Sequence, residues 1–147
     1  MRERTAKHRR DLQRRGFTLI ELLIVMVIIG LLASLVAPTM FKKVSGAKRK
    51  TARAQIELLG TALDSYRLDN DMYPSTEQGM EALRVKPEGV NHWDGPYMPK
   101  DIPKDPWGNE YAYKCPGDHG DYDLTSYGVD GQSGGEDDKA DINSWEN

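Results

Sequence analysis

The chain has 147 residues, of which 38% are hydrophobic and 29% charged, a size that favours one apolar helix and one small globular domain over a multidomain protein. Its formal net charge of −3 hides a strong segregation: residues 1–16 hold seven Lys or Arg against two acids, whereas residues 115–147 hold one Lys against nine acids. Because the acidic end repels phosphate backbones, nucleic acid is a poor partner for it.

The first predicted element is an apolar segment that follows the basic residues 1–16. Residues 22–37 carry no charge, and Glu21 is the only charge in residues 17–37. At ~1.5 Å per residue such a helix reaches across ~30 Å of hydrocarbon, and the basic flank predicts a cytoplasmic N-terminus with the rest of the chain outside. A secretory signal peptide is the alternative, but Pro38 directly follows the only plausible cleavage site.

An amphipathic helix is predicted next, from about Thr39 to Asp69. Apolar residues recur at three- and four-residue steps, which is the spacing of one face of an α-helix, while charged residues fill the other faces. This pattern favours packing of the helix against a sheet over a coiled coil or a cofactor site. The apolar stripe consists of Ala52, Ile56, Leu59, Leu63 and Tyr66.

Helix-ending signals and a second, short helix follow. The stretch LDNDMYP (68–74) ends the long helix. The next stretch, STEQGMEAL, is typical of a short capped helix, with Ser75 or Thr76 as N-cap and Glu77 or Gln78 near the third position.

Two strands and an acidic tail complete the chain. Five prolines make residues 84–108 rich in loops, after which NEYAYKC and YDLTSYG predict two short strands joined by the hairpin connection PGDHGD. The tail VDGQSGGEDDKADINSWEN has no periodicity, and its composition alone is that of a disordered acidic tail.

The stretch RRGFTLIELLIVMVIIGLLASLVAP (14–38) resembles the processing and assembly segment of type IV pilins and type II secretion pseudopilins. Glycine, phenylalanine, threonine and a glutamate four residues after the phenylalanine all stand in place. The stretches MYPSTEQGMEAL and DPWGNEYAYKCPGDHGDYDLTSYGVDGQSGGEDDKADINSW are similar to major pseudopilins of type II secretion. Type IV pilins usually close their C-terminal loop with a cysteine pair, which the single Cys115 cannot form.

The resemblance implies roles for residues of the N-terminal segment. A prepilin peptidase is expected to cut between Gly16 and Phe17 and to methylate the new amine of Phe17. A carboxylate in an apolar helix costs roughly 2.5–3.5 kcal/mol on insertion scales at the bilayer centre, so Glu21 needs a partner, and the family model pairs it with the Phe17 amine of a neighbouring subunit. The segment from Gly30 to Pro38 is expected to unwind on assembly, with an ordinary tolerated proline kink as the alternative.

The acidic tail carries a candidate metal site. Its aspartates lie around a glycine-rich turn, and hard oxygen ligands in a flexible loop suit calcium, although the spacing is not that of an EF-hand. From spacing alone, a solvated acidic loop is the simpler interpretation. The resemblance instead implies a Ca²⁺ site with side-chain ligands Asp130, Asp137 and Asp138 and the backbone carbonyl of Tyr127; carbonyls near Ala140 and Ile142 are further candidates.

We therefore expect an α+β, pilin-like fold in which a long N-terminal helix, half transmembrane and half amphipathic, packs on a small antiparallel sheet with a C-terminal calcium-binding loop. The expected segments are a cleaved leader (1–16), a transmembrane assembly helix (17–38) and a periplasmic globular domain (39–147). No catalytic arrangement of residues is found.

The expected function is that of the major structural subunit of a periplasmic pseudopilus, anchored in the bacterial inner membrane, that pushes folded proteins through an outer-membrane secretin. The implied partners are further copies of the chain, minor pseudopilins, the prepilin peptidase and methyltransferase, and the inner-membrane assembly platform with its ATPase. Two alternatives are a type IV pilin of a surface filament and a membrane-tethered enzyme or binding domain with an uncleaved anchor.

Overall fold

The computed structural model describes residues 16–146, except for the side chain of Asp138. The leader predicted for residues 1–16 therefore lies, apart from Gly16, outside the described residues. Three antiparallel strands and two short 3-10 helices follow one long helix, α1 (Leu19–Asn70). The chain divides into two compact units between Met40 and Phe41.

The first unit contains the apolar part of α1. This helix includes an 18-residue window that is long and apolar enough to cross a membrane, and none of that window is buried within the protein. Its large side chains are exposed, for example 66% for Leu31 and 76% for Leu35. Since exposed apolar surface on this scale is unfavourable in water, this part of α1 fits a lipid or filament environment.

The second unit contains the amphipathic part of α1, and the predicted stripe is confirmed. Ala52, Leu59 and Leu63 are 0% exposed, and Ile56 and Tyr66 are 4% and 1% exposed. The helix ends at Asn70, and the next residue, Asp71, takes a left-handed φ of 61°. The end lies where the turn signals predicted it, because Asp tolerates this conformation better than most residues.

The short helix predicted after Pro74 is present as a turn and a 3-10 helix. Ser75 and Gln78 cap each other, since the Ser75 N–H donates to Gln78 Oε1 at 2.9 Å and the Gln78 N–H donates to Ser75 Oγ at 3.3 Å. The 3-10 helix proper covers Met80–Leu83, and its buried Leu83 joins the core.

The sheet has three antiparallel strands in the order β1 (Ala112–Lys114), β2 (Asp123–Ser126) and β3 (Ile142–Asn143). The first two form the predicted hairpin, with Tyr113 opposite Leu124. The third strand comes from the tail that composition alone describes as disordered, and it pairs Ile142 with Ser126. Ile142 is 1% exposed, so burial of an apolar side chain holds this part of the tail in place.

The core lies between α1 and the sheet. An ideal Cβ at Gly60 of α1 would lie 2.9 Å from the Tyr122 hydroxyl, so glycine permits a close approach of the helix to the hairpin. Hydrogen bonds also join the two elements, since the Tyr111 hydroxyl donates to Gln55 Oε1 at 2.7 Å. Helix α1 and a small antiparallel sheet thus make the expected α+β arrangement.

Candidate functional site

The predicted cleavage site lies just before α1. Among residues 16–146, an ideal Cβ at Gly16 would meet nothing within 4 Å, and the Phe17 side chain is 87% exposed. Among the described residues, the Gly16–Phe17 bond is therefore accessible.

Thr18 and Glu21 form a reciprocal cap on the first turn of α1. Glu21 Oε2 accepts hydrogen bonds from the Thr18 N–H at 3.1 Å and from the Thr18 hydroxyl at 3.2 Å, and the Glu21 N–H donates to Thr18 Oγ1 at 3.2 Å. This is a capping box, which satisfies backbone donors that the first helical turn leaves free. The spacing T-x-x-E is the sequence signal for it. The predicted partner of Glu21 was an amine on another subunit, so this intramolecular role was missed.

Gly30 and Pro38 both lie within α1, where residues 30–38 are helical. Pro38 has no N–H to donate to the Ser34 carbonyl one turn earlier. The Ser34 hydroxyl donates to the Leu31 carbonyl at 2.7 Å. The segment for which unwinding was predicted therefore lacks one backbone hydrogen bond of the helix, and unwinding itself stays a prediction.

The acidic loop after β2 turns tightly through glycines. Gly131, Gly134 and Gly135 have φ values of 65°, 96° and 99°. An ideal Cβ at Gly135 would lie 2.6 Å from the Lys139 carbonyl oxygen, so the loop closes on itself more tightly than a side chain at this position would permit.

The described acids of this loop leave carboxylate oxygens without donors. Asp130 Oδ1 accepts only the N–H of Gln132, at 3.2 Å, and the Asp137 carboxylate accepts no hydrogen bond within residues 16–146. Asp137 also has a left-handed φ of 53°. The described side chains do not include a preformed group of three or more metal ligands.

Asp141 is a loop acid that the sequence analysis did not select. Its Oδ2 accepts the Gly134 N–H at 2.8 Å, whereas its Oδ1 is buried and meets no donor in the described part of the chain. A buried carboxylate oxygen without a partner carries a free-energy cost that a bound cation removes. The candidate metal ligands of this loop are all hard oxygen atoms around a tight turn, which is the kind of ligand that suits a calcium ion.

A helix residue also contacts the acidic loop. Arg49 donates from Nη1 to the Ala140 carbonyl oxygen at 2.6 Å. This carbonyl is one of the further metal-ligand candidates, and a charged donor already forms a hydrogen bond with it. Lys48 lies over the Trp107 ring, 6.0 Å from its centroid. The two cations link α1 to the loop region of the domain.

A second cluster of ionisable groups lies on the hairpin and is structural. His119 Nδ1 lies 3.0 Å from Asp123 Oδ2, and the His119 ring stacks on Trp145 with a centroid distance of 3.9 Å. Burial by itself raises the pKa of Asp123, but hydrogen bonds from the His119 side chain and from the amides of Asp118 and His119 outweigh it and hold the pKa below its usual value. This cluster fixes the C-terminal segment to the hairpin.

The lone cysteine is also a packing residue. Its N–H and carbonyl both bond to the Thr76 hydroxyl, at 2.9 Å each, and Cys115 Sγ donates to the Asp121 carbonyl at 3.4 Å. Cys115 is free. In residues 16–146 no disulfide therefore closes the C-terminal loop.

Comparisons with known proteins match both parts of the chain. The family described as "Type II secretion system (T2SS), protein G" matches residues 39–145, and the "Prokaryotic N-terminal methylation motif" matches residues 12–37. The chain is similar to the type II secretion system core protein G of Pseudomonas aeruginosa, with 48% identity over 92% of this chain and 97% of that protein. The core protein G of Vibrio cholerae is 49% identical over 88% of this chain and 90% of that protein.

A solved structure is similar as well. The crystal structure of the major pseudopilin from the type 2 secretion system of enterohaemorrhagic Escherichia coli superposes with a TM-score of 0.61 and 38% identity. The match covers 74% of this chain and 95% of that chain.

Proposed function

We infer that this chain, which belongs to the type II secretion system protein G family, is the major structural subunit of a pseudopilus. The main support for this function is that two family models match the chain one after the other: the methylation motif over residues 12–37 and the protein G family over residues 39–145. As a pilus-like subunit of the secretion machinery it has no catalytic role, and its apolar helix anchors it in a membrane. The protein G matches favour this function over that of a type IV pilin.

The first proposed step is processing of the precursor. A prepilin peptidase cuts between Gly16 and Phe17 and methylates the Phe17 amine. The open backbone around Gly16 and the exposed Phe17 side chain support this step.

The second proposed step is docking of one subunit onto the next. Cleavage creates a positive amine at Phe17, and its attraction to the Glu21 carboxylate of a neighbour is stronger in low dielectric than in water. Before docking, the Thr18 hydroxyl and N–H satisfy that carboxylate, which lowers the cost of keeping Glu21 in the membrane. Docking therefore exchanges an intramolecular cap for an intermolecular ion pair.

The third proposed element is a calcium ion in the acidic loop. Asp130, Asp137 and Asp138 are the predicted side-chain ligands, with the Tyr127 carbonyl, and we add Asp141 because its buried Oδ1 has no donor among the described residues. Calcium would draw the loop carboxylates together and neutralise their charge. The ion would then stabilise the loop, as a disulfide does in type IV pilins.

The proposed orientation places the N-terminus in the cytoplasm and the globular domain in the periplasm, as the basic residues 1–16 favour. The proposed partners are further copies of the chain, minor pseudopilins, the inner-membrane platform with its ATPase, and the outer-membrane secretin. Growth of the filament would push folded proteins through the secretin.

Deletion of the gene followed by comparison of the secreted proteins tests this function. Loss of a set of folded proteins from the medium is expected, with recovery when the unsubstituted gene is supplied. Recovery should fail with Glu21→Ala. An unchanged set of secreted proteins after deletion, together with loss of a surface filament, would favour the type IV pilin alternative.

A further inference from the structure

The last residue of β2, just before the acidic loop, is hydrogen-bonded to the carboxylate of Asp105, a buried residue that is 4% exposed. Within residues 16–146 no cation forms an ion pair with it. Its Oδ1 accepts the N–H groups of Trp107 at 3.0 Å and Asn109 at 2.8 Å, and its Oδ2 accepts the Ser126 hydroxyl at 2.7 Å. A buried charge needs such donors, so they bind the Asp105 turn tightly to the end of β2.

The N–H and the carbonyl of Asn109 both form hydrogen bonds with Asp105, and the Asn109 side chain contacts the acidic loop. Its carbonyl accepts the Asp105 N–H at 2.9 Å, while its own N–H donates to Asp105 Oδ1. The side-chain Nδ2 then donates to the Gly128 carbonyl at 2.9 Å. An ideal Cβ at Gly131 would lie 3.5 Å from Asn109 Oδ1, so the amide also lies against the turn of the loop.

Ser126 binds the N–H of Gly128, whereas Asn109 binds its carbonyl. The Gly128 N–H donates to Ser126 Oγ at 3.3 Å, and Ser126 in turn donates to Asp105. The Gly128 N–H and the Tyr127 carbonyl belong to one trans peptide and point in opposite directions. Fixing the N–H on Ser126 therefore turns the Tyr127 carbonyl away from Ser126, while the Gly128 carbonyl is occupied by Asn109.

We propose that Asn109, held by the buried carboxylate of Asp105, is a positioning residue that orients residues 127–131 of the acidic loop for cation binding. This inference rests on the proposed calcium site. It explains why Tyr127 rather than Gly128 offers its carbonyl as a ligand, and it places Asp130 two residues beyond a rigid peptide. Groups that hold metal ligands in place usually contribute about 10- to 100-fold to metal affinity, because they remove the need to order the ligands on binding.

Calorimetric titration of the full chain in dodecyl maltoside with calcium chloride tests this inference. Asn109→Ala removes the donor to Gly128 but keeps the backbone bonds to Asp105, and it should weaken calcium affinity about 10- to 100-fold. The matched control is Asn91→Ala, which removes an exposed loop amide and should leave the affinity unchanged. If Asn109→Ala does not yield folded protein, Asn109→Ser makes the same comparison with a smaller loss of packing.

A second readout separates positioning from general stability. A merely structural role would lower the melting temperature of Asn109→Ala equally in calcium and in EGTA and leave the affinity unchanged, which would overturn the inference. A positioning role should reduce the increase in melting temperature that calcium produces. Absence of calcium binding by the unsubstituted protein would overturn the calcium site itself, and the inference with it, whereas equal affinities of Asn109→Ala and the unsubstituted protein would overturn the inference alone.

Discussion

The Thr18 hydroxyl and the Glu21 carboxylate cap the first turn of α1 together, with Thr18 Oγ1 3.2 Å from Glu21 Oε2. Glu21 thus has two roles to distinguish, the local cap that the structure contains and the proposed pairing with the Phe17 amine of a neighbour. Helix caps contribute about 0.5–2 kcal/mol, and Gln serves in a capping box as well as Glu does. Substitutions can therefore separate the cap from the charge.

Replacing Glu21 by Gln or by Ala should abolish filaments while leaving membrane insertion intact, because both changes remove the charge and make residence in lipid cheaper. Thr18→Ala weakens the cap, keeps the charge and should retain filaments. Negative-stain microscopy of sheared cells that overproduce each variant is the measurement. Normal filaments from Glu21→Gln would contradict charge pairing and favour the cap as the reason for this residue.

The precursor should lose residues 1–16 and begin at N-methyl-Phe17. Gly16→Glu should block this cleavage, since a bulky charged side chain replaces a hydrogen at the scissile bond. The control is Gly30→Ala, which adds a methyl group in open space within α1 and should leave processing unchanged. Mass spectrometry of membrane-extracted protein reads the N-terminus directly, and a retained Met1 or a cut near Ala37 would refute the prepilin interpretation.

Calcium should raise the melting temperature of the full chain in detergent relative to EGTA. A hundredfold excess over Kd adds roughly 2.7 kcal/mol to the free energy of unfolding, which corresponds to about 10 °C for a domain of this size. Magnesium should substitute poorly because it requires a smaller, octahedral site. Equal melting temperatures in calcium and EGTA would show that the loop does not bind the ion.

Loop aspartates should be required for this effect, and Asp137→Ala and Asp141→Ala should each abolish most of the increase. Asp101→Ala serves as the control, since that side chain is 99% exposed and lies outside the loop. Asp141→Ala also removes Oδ2, which accepts the Gly134 N–H, so the melting temperature of this variant in EGTA is the baseline from which its calcium effect is measured. A full calcium effect in Asp141→Ala would exclude this residue from the ligand set.

The stability of the domain should fall in acid partly through Asp123. Its pKa in the folded protein lies below the usual value, so its contribution is fully present above the unfolded pKa of about 3.9 and is lost as the pH falls through the folded pKa. His119→Ala removes one of the stabilising hydrogen bonds and should flatten this dependence. Urea unfolding midpoints between pH 2 and pH 7 provide the measurement, and an identical acid profile for His119→Ala would contradict the assignment.

The buried stripe of α1 should dominate the stability of the globular domain. Leu63→Ala removes a fully buried side chain and should lower the free energy of unfolding by about 2–5 kcal/mol. Leu68→Ala, on the same helix but 83% exposed, should change it by less than about 0.5 kcal/mol. Similar losses for both variants in urea unfolding would mean that this face is not the core.

Much of the fold could be predicted because its signals are local. The uncharged run at residues 22–37 predicts a membrane-spanning helix by its length. The stripe from Ala52 to Tyr66 has the spacing of one helix face, and the helix ends within the predicted turn signals. Strands β1 and β2 likewise follow from two short segments on either side of the turn sequence PGDHGD. Residues close together in the chain, Gly16 to Glu21, identified the resemblance to pilins and pseudopilins, and the downstream stretches narrowed it to major pseudopilins.

Only the tertiary structure decided which residues of the tail and the loops act together. Strand β3 is two residues long, too short to carry a period, and it exists because Ile142 finds an apolar site against β2. Asp105 contacts Ser126 across 21 residues, and Asn109 contacts Gly128 across 19. Such pairs have no local signature, because burial and hydrogen bonding depend on where the folded backbone brings distant residues together.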